Sequence, residues 1–283
     1  MNFPSFDPIE LHRRNAARLT ARDVIIPGYP GSGASLIGNI LLELGLYYLD
    51  PYTEVVGSEG RAEPVEARRQ YRMRLAAADR RDRCSQEQPR GPSSFRFVKT
   101  HLYPDEFPNE VLARVVLLVR HPFDAIHSYY CWRVGFSEEG ETSSFEEFLA
   151  KPGFMNRVPG HDWGCFNLAW TDVSSRCGGG QPLYFEALKK EPVPTVIRFL
   201  ATVGLEFSTL AVERAIEASS FDSMRRHEDG VCSDGADKNP HRIMRRGEVD
   251  EWRRWLRPEH AGTLSDPVLR ESAHRLGYNI PSV

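Results

Sequence analysis

No excess of one charge marks this sequence: 36 lysines and arginines stand against 39 aspartates and glutamates over 283 residues, a formal net charge of −3. So weak a field does not draw a polyanion to the molecule. Nucleic acid is therefore not expected as a partner, and any anion site must be assembled from a few local cations. Cysteine is scarce too. Cys84, Cys131, Cys165, Cys177 and Cys232 are odd in number, widely spaced and free of any C-x-x-C pair, which predicts structural thiols and not a disulfide framework or a zinc site. Long apolar runs are missing, since no stretch reaches the roughly 18 consecutive apolar residues that a membrane helix needs. Residues 1–10 lack the basic and apolar regions of a secretory signal, so a cytoplasmic location and no membrane partner are expected. No internal repeat is visible. What remains, 41% hydrophobic and 27% charged, is a globular composition long enough to bury a sizeable core.

Against that background residues 23–36 stand out. A buried-strand pattern at Val24-Ile25-Ile26-Pro27 runs directly into the turn Gly28-Tyr29-Pro30-Gly31-Ser32-Gly33 and then into a helical pattern. Small residues let successive backbone N–H groups converge on an anion, and the helix that follows adds the positive end of its dipole. From Gly28 to Ser35 the run is nearly G-x-x-x-x-G-K-[ST], but Ala34 occupies the lysine position. A nucleotide kinase would lose its phosphate-binding charge there.

The rest of the chain alternates strand and helix patterns. A short basic helix is predicted over 11–19, a one-face-buried helix over 35–46, strands over 95–99 and 114–119, a helix over 121–132, a strand at 183–185 and a helix over 192–200. Alternation at this spacing predicts an α/β fold, a single domain over 1–283 with a central parallel sheet and helices on both faces. Residues 49–92 are polar, arginine-rich and closed by Gly91-Pro92; they read as a helical or mobile excursion on the acceptor side. Gly178-Gly179-Gly180 reads as a connection.

Several chemistry-bearing residues fall at strand ends, where open parallel sheets place their ligands. Arg120 ends the third strand, with Ser128 eight residues on; it either points at a bound anion or pairs with Asp124. Lys99-Thr100-His101 follows the second strand. Histidine titrates closest to neutral pH, so His101 is a candidate general base, although a histidine in this position also serves as a capping or packing group. Arg245-Arg246-Gly247 is a compact cation pair that taken alone suits a solvated face.

Taken in order, these segments resemble the PAPS-dependent sulfotransferases of cytosolic type, over about 22–255. Lys99-Thr100-His101-Leu102 resembles the segment carrying that family's catalytic histidine, and 116–132, with Arg120 and Ser128, the segment that binds the 3′-phosphate. Ser144-Phe145-Glu146-Glu147-Phe148, then Gly160 with Trp163 and Trp170, match two further family segments. Phe185-Glu186-Ala187-Leu188-Lys189 and the run from Ser219 to Met224, with Phe221, resemble elements that pack on adenine; Arg245-Arg246-Gly247 stands where the family has Arg-Lys-Gly. The glycine-rich turn resembles the family's Tyr-Pro-Lys-Ser-Gly-Thr-Thr-Trp loop, with Gly31, Ala34 and Leu36 in place of its lysine, a threonine and the tryptophan that stacks on adenine.

The resemblance implies a P-loop-like nucleotide-binding fold and transfer of a sulfuryl group from PAPS, leaving adenosine 3′,5′-bisphosphate (PAP), with no metal. The acceptor would be a hydroxyl, ahead of an amine, of a small molecule or natural product. In this reading His101 is the base and Lys99 the cation that offsets the missing loop lysine, with Arg133 or an arginine of 61–83 as the alternatives. Backbone N–H groups of Ser32, Gly33, Ala34 and Ser35 carry the 5′-phosphate; Arg120, Ser128, Arg245 and Arg246 hold the 3′-phosphate; Phe185, Ser219 and Phe221 meet the adenine. Trp132, Phe136, Phe154, Trp163 and Phe166 form a candidate acceptor wall, and a lysine introduced at Gly31 is expected to be tolerated. A P-loop kinase or NTPase, and a non-catalytic nucleotide-binding protein of the same fold, are the competing readings. The first is disfavoured by Ala34 and by the lack of a strand-end aspartate to work with Ser35, the second by the presence of His101 and Lys99. The oligomeric state is not fixed by the sequence.

Overall fold

The computed structural model describes residues 7–58, 61–76, 96–136, 143–153, 156–177, 180–233 and 241–281. Its strands, in chain order, are β1 (Val24–Pro27), β2 (Tyr47–Leu49), β3 (Glu54–Val56), β4 (Ala62–Pro64), β5 (Arg96–Thr100), β6 (Leu118–Val119) and β7 (Leu183–Tyr184). β1 pairs in parallel with β5, Ile26 opposite Lys99, and β5 with β2, Leu49 opposite Val98. On the other edge of β1, parallel bridges from Ile25 to Val115 and from Gly28 to Leu118 bring in the segment that becomes β6, which pairs in parallel with β7. The spatial order is thus β2-β5-β1-β6-β7, all parallel, while β3 and β4 form a separate antiparallel pair.

Both faces of the sheet are buried, and the residues alternate between them as the pleat requires. Ile25, Val98, Val115, Leu117 and Val119 face one core, and Val24, Ile26, Phe97, Val116 and Leu118 the other. The helices are α1 (Pro8–Ala16), α2 (Ala34–Glu43), α3 (Arg69–Met73), α4 (Pro122–Phe136), α5 (Phe145–Ala150), α6 (Pro159–Arg176), α7 (Phe185–Lys190), α8 (Pro192–Thr202), α9 (Thr209–Ala218), α10 (Phe221–Ser233), α11 (Trp252–Trp255), α12 (Ala261–Leu264) and α13 (Pro267–Arg275). The first core is closed by aromatic side chains of α4 and α6, among them Phe123, Trp163, Phe166 and Trp170, and the second by α2, α8 and α9 through Ile37, Ile40, Val196, Phe199 and Val212.

The predicted elements recur with shifted ends. α1 starts three residues earlier than 11, at Pro8 behind the side-chain cap of Asp7. In 114–119 the ladder proper is confined to Leu118 and Val119, because the earlier residues meet β1 only through the Ile25–Val115 bridge and the hydrogen bonds Ile25 N–H to Arg114 O and Val116 N–H to Ile25 O. The predicted strand at 183–185 ends one residue short, since Phe185 opens α7. β2 was not anticipated. It opens the 49–92 excursion, which therefore begins inside the sheet, continues through β3, β4 and α3, and passes outside the described residues at 59–60 and 77–92. Cys131, Cys165, Cys177 and Cys232 are free thiols, while Cys84, Phe154, Gly178 and Gly179 lie outside the described residues. Among the described residues no helix is long and apolar enough to cross a membrane.

The turn after β1 is pressed against α4. Gly31 has φ +85°, and a Cβ there would lie 2.4 Å from the Ala125 carbonyl oxygen and 3.0 Å from Ser128 Cβ. This corrects the expectation that a lysine fits at Gly31: the direction a side chain would take is filled by helix backbone, which cannot yield as a flexible side chain could. Gly31→Lys is expected to lose about 1–2 kcal/mol to left-handed strain and about 1–3 kcal/mol more to overpacking. Thermal unfolding should show a fall in Tm on the order of 5 °C or more; a Tm within 1 °C of wild type, on the scale of about 2–4 °C per kcal/mol, would show that the loop accommodates the side chain.

Candidate functional site

Beyond the carboxyl ends of β1 and β5 and beside the start of β6, three strands meet on one residue. The Gly28 N–H donates to Thr100 O at 3.1 Å, its residue bridges to Leu118, and its carbonyl lies 2.5 Å from His101 Nδ1. A carbonyl only accepts, so Nδ1 carries the proton and Nε2 the lone pair. Burial, with the Lys99 charge on the same strand face, pushes the His101 pKa down to about 3; the Gly28 hydrogen bond and Asp50 oppose the shift. The imidazole is thus neutral and in the tautomer a base requires. Its backbone N–H donates to the Tyr52 hydroxyl at 3.1 Å, with the two rings 5.2 Å apart.

Lys99, two residues earlier on β5, points to the same face as His101. Its Nζ lies 3.0 Å from Asp50 Oδ2, just beyond the end of β2, and 5.3 Å above the Tyr52 ring. Burial opposes the ammonium charge, but Asp50 and Tyr71 outweigh it and the pKa is raised. Lys99 is therefore a charged, carboxylate-paired lysine.

The glycine-rich turn ends at Gly33, which has φ +103° and caps α2 with backbone alone. A Cβ at Gly33 would meet the Phe185 ring at 2.5 Å, so Phe185 lies directly on the loop. Over that ring, at 4.4 Å from its centre, sits the Arg120 guanidinium, which donates to the carbonyls of Gly31 and Glu248 at 2.9 Å each. Burial lowers the Arg120 pKa, an effect opposed by Asp124, Glu186 and Glu251. The expected alternative, an Arg120 pairing with Asp124, is not among the ion pairs of the described residues; Asp124 Oδ1 instead accepts the Trp252 N–H at 2.8 Å. Ser128 on α4 stands beside Gly31. Arg245 and Arg246 both pair with the buried Glu251, and Gly247, at φ +64°, lies under Phe221.

The structure thus brings the loop from Gly31 to Leu36, His101, Arg120, Ser128 and Phe185 to one crevice, with Lys99 beside the base and the 245–247 segment reached through the Arg120–Glu248 contact. Ser219 and Phe221 sit where α9 passes into α10, which Asn39 of α2 joins by donating to Met224 Sδ at 3.0 Å. Three polar atoms of this set, Ser32 Oγ, Ser219 Oγ and Arg120 Nε, are buried without a hydrogen-bond partner among the described residues. Buried polar groups left unmade are costly, and donors of this kind around a glycine cradle fit a phosphate-bearing nucleotide. No group of three or more His, Cys, Asp or Glu side chains is arranged to hold a metal among the described residues.

Two residues expected in an acceptor wall lie elsewhere. Trp163 and Phe166 are core residues, at 0% and 1% exposure, packed between α6 and the sheet. Trp132 and Phe136 instead meet Tyr71 of α3, whose hydroxyl accepts from Trp132 Nε1 at 3.0 Å and whose ring is 5.6 Å from Phe136. Asp50, Tyr52, Tyr71 and Glu251 went unnoticed in the sequence. Asp50 could have been found by the strand-end logic that picked out Lys99, had β2 been seen.

Comparison with known proteins agrees with this geometry. The family model described as "Sulfotransferase domain" matches residues 21–276. Among curated relatives, Sulfotransferase 1E1 of Rattus norvegicus is 23% identical over 244 residues, 82% of this chain and 77% of its own length. The Bos taurus protein of that name is 25% identical over 173 residues, 57% of this chain; the match spans 56%, little over half, of the relative's length. Among solved structures, retinol dehydratase in a complex with retinol and PAP superposes with a TM-score of 0.65 at 16% identity, covering 97% of this chain and 88% of that one. Mouse sulfotransferase SULT7A1 complexed with PAP gives 0.61 at 17% identity, covering 96% of each. With the family match running from just before β1 to the end of α13 and enclosing every element of the crevice, the chain belongs to the sulfotransferase family.

Proposed function

We propose that the protein transfers a sulfuryl group from PAPS to a hydroxyl of a small, partly apolar acceptor, with His101 as general base. The observation that carries the reading is the Gly28–His101 hydrogen bond. It fixes the base, in its proton-accepting tautomer, to the first residue of the loop whose N–H groups suit the 5′-phosphate. In the transfer the acceptor oxygen forms its bond to sulfur as the bond from sulfur to the bridging phosphate oxygen breaks, in line and through a loose transition state, by analogy with phosphoryl transfer. The acceptor proton passes to His101 Nε2, and the bond electrons leave with the phosphate as PAP. Lys99 lies on the same strand face, placed to offset charge on the bridging oxygen. The backbone of Ser32, Gly33, Ala34 and Ser35 receives the 5′-phosphate. Arg120, Ser128, Arg245 and Arg246 meet the 3′-phosphate, with Phe185, Phe221, Ser219 and Leu36 around the adenine. The acceptor lies against Tyr71, Trp132 and Phe136; androsterone and retinol, held by two structural neighbours, are suitable first probes with labelled PAPS.

The 3′-phosphate is the discriminating group. At one hundred times its Kd, PAP should stabilise the protein by about 2.7 kcal/mol, whereas AMP at the same concentration should give a much smaller rise in melting temperature. Arg120→Ala should weaken PAP binding by about 1.5–3 kcal/mol, the range for hydrogen bonds to a charged group. Equal shifts with PAP and AMP would instead favour the kinase or NTPase reading.

The base makes two further predictions. His101→Ala should remove most turnover, on the order of 10²-fold or more, while leaving PAP affinity within about twofold of wild type. Because the pKa is depressed to about 3, the neutral form dominates at every pH well above that value. NMR titration of the ligand-free protein should therefore show His101 unprotonated at pH 5, and PAP should move its pKa upward, since a nearby anion favours imidazolium. A free-protein pKa near 6.5 would remove the electrostatic basis of the assignment.

A further inference from the structure

Between α10 and α11 the chain passes through residues 241–247, and its approach to Arg245 is held from beneath by one wholly buried carboxylate. Glu228, on α10, accepts the N–H of Ile243 at 2.7 Å through Oε1 and that of Met244 at 2.9 Å through Oε2. Its charge is met by Arg74, which follows α3 in the acceptor-side excursion: Nη1 stands 3.7 Å from Glu228 Oε1, and both side chains have no exposed surface. The same Nη1 donates to the His241 carbonyl at 2.5 Å, and the guanidinium lies 5.3 Å over the ring of Phe136 on α4. His241 in turn fills the space left by Gly135, where a Cβ would come within 2.8 Å of it. From the outer side Arg225 donates to Met244 O and pairs with Asp229, which also takes Arg242.

A carboxylate buried this deeply needs a cationic partner, since removing one member of such a pair leaves an uncompensated charge. Without Arg74 the buried Glu228 carboxylate loses the cation packed against it and its place is no longer fixed, which weakens its hold on the two N–H groups next to Arg245. We infer that Arg74 and Glu228 are positioning residues for the 3′-phosphate segment, so that an arginine of the acceptor-side excursion sets the preference for a 3′-phosphorylated nucleotide without touching it. The inference rests on the reading that Arg245, Arg246 and Gly247 meet the 3′-phosphate. It links the two halves of the crevice through a contact that neither half shows by itself.

Binding of PAP and of AMP, measured by calorimetry on wild type, Arg74→Met, Arg74→Lys, Glu228→Gln and Arg245→Ala, tests it. Arg74→Met and Glu228→Gln should weaken PAP by about 3- to 30-fold, the range for couplings carried through a packed network, while AMP binding stays within twofold. Arg74→Lys should restore most of the PAP affinity. A wild-type protein that binds the two nucleotides equally would overturn the phosphate reading and this inference with it. A preference that Arg245→Ala abolishes but Arg74→Met leaves intact would overturn this inference alone, as would equal losses for PAP and AMP, the mark of a merely structural pair. Should the buried substitutions fail to fold, hydrogen exchange on wild type decides. PAP should slow exchange at 61–76 together with 241–247, and slowing confined to 241–247 refutes the link.

Discussion

Everything in the crevice depends on the backbone of Gly28. Its N–H closes the β1–β5 ladder against Thr100, its residue bridges to Leu118 on the other side, and its carbonyl fixes His101. A Cβ there would sit 3.3 Å from Leu118 O, a tight contact that would ask the strands to part by a few tenths of an ångström. From that junction the register distributes the chemistry. Lys99 and His101 share a face because the strand period is two, and Arg120 emerges two residues beyond Leu118. A slip of one residue in β5 would send the base and its neighbouring cation to the opposite side of the sheet.

Charge in the crevice is balanced pair by pair. Lys99 is met by Asp50, Arg245 and Arg246 by Glu251, and Arg74 by Glu228. Arg120 differs: among the described residues its partners are two carbonyls and an aromatic face, with carboxylates acting on it at longer range. A cation already neutralised by a buried carboxylate adds little to the field an incoming anion feels, whereas one resting on carbonyl dipoles keeps its charge available. In the proposed reading, attraction for the nucleotide therefore concentrates at Arg120 and the loop N–H groups, and the paired arginines shape the place of the 3′-phosphate.

Local rules made much of this legible. β1, the parallel segment through Val119 and α2 follow from apolar periodicity, and the anion loop from its glycines. The positions of His101, Lys99, Arg120 and Arg245 follow from strand ends and from a family resemblance that the domain match supports. β2 escaped because three residues, Tyr47 to Leu49, give no period to count, and with it went Asp50. Glu228 and Glu251 could not be found from sequence at all: each is one acidic residue among many, and only tertiary packing decides which carboxylate is buried against which arginine. Trp163 and Phe166 failed in the opposite direction, since a large apolar side chain reads alike whether it lines a pocket or fills a core.

The missing loop lysine follows from the same geometry. At Gly31 the backbone turns left-handed, presents its carbonyl to Arg120 and leaves no room toward Ala125 for a side chain. The loop can then act on an anion through its N–H groups and serine hydroxyls but not through a cation, and in the proposed reading the side-chain cation near the bridging oxygen comes from another element. In that reading β5 supplies it as Lys99, a cation whose charge Asp50 tempers. That placement has a cost and a use: the Lys99 charge, added to burial, depresses the His101 pKa, which weakens the imidazole as a base but keeps it unprotonated. In the proposed reading the negative charge of an arriving phosphosulfate opposes the influence of Lys99, so His101 gains strength as a base when the group to be transferred is in place.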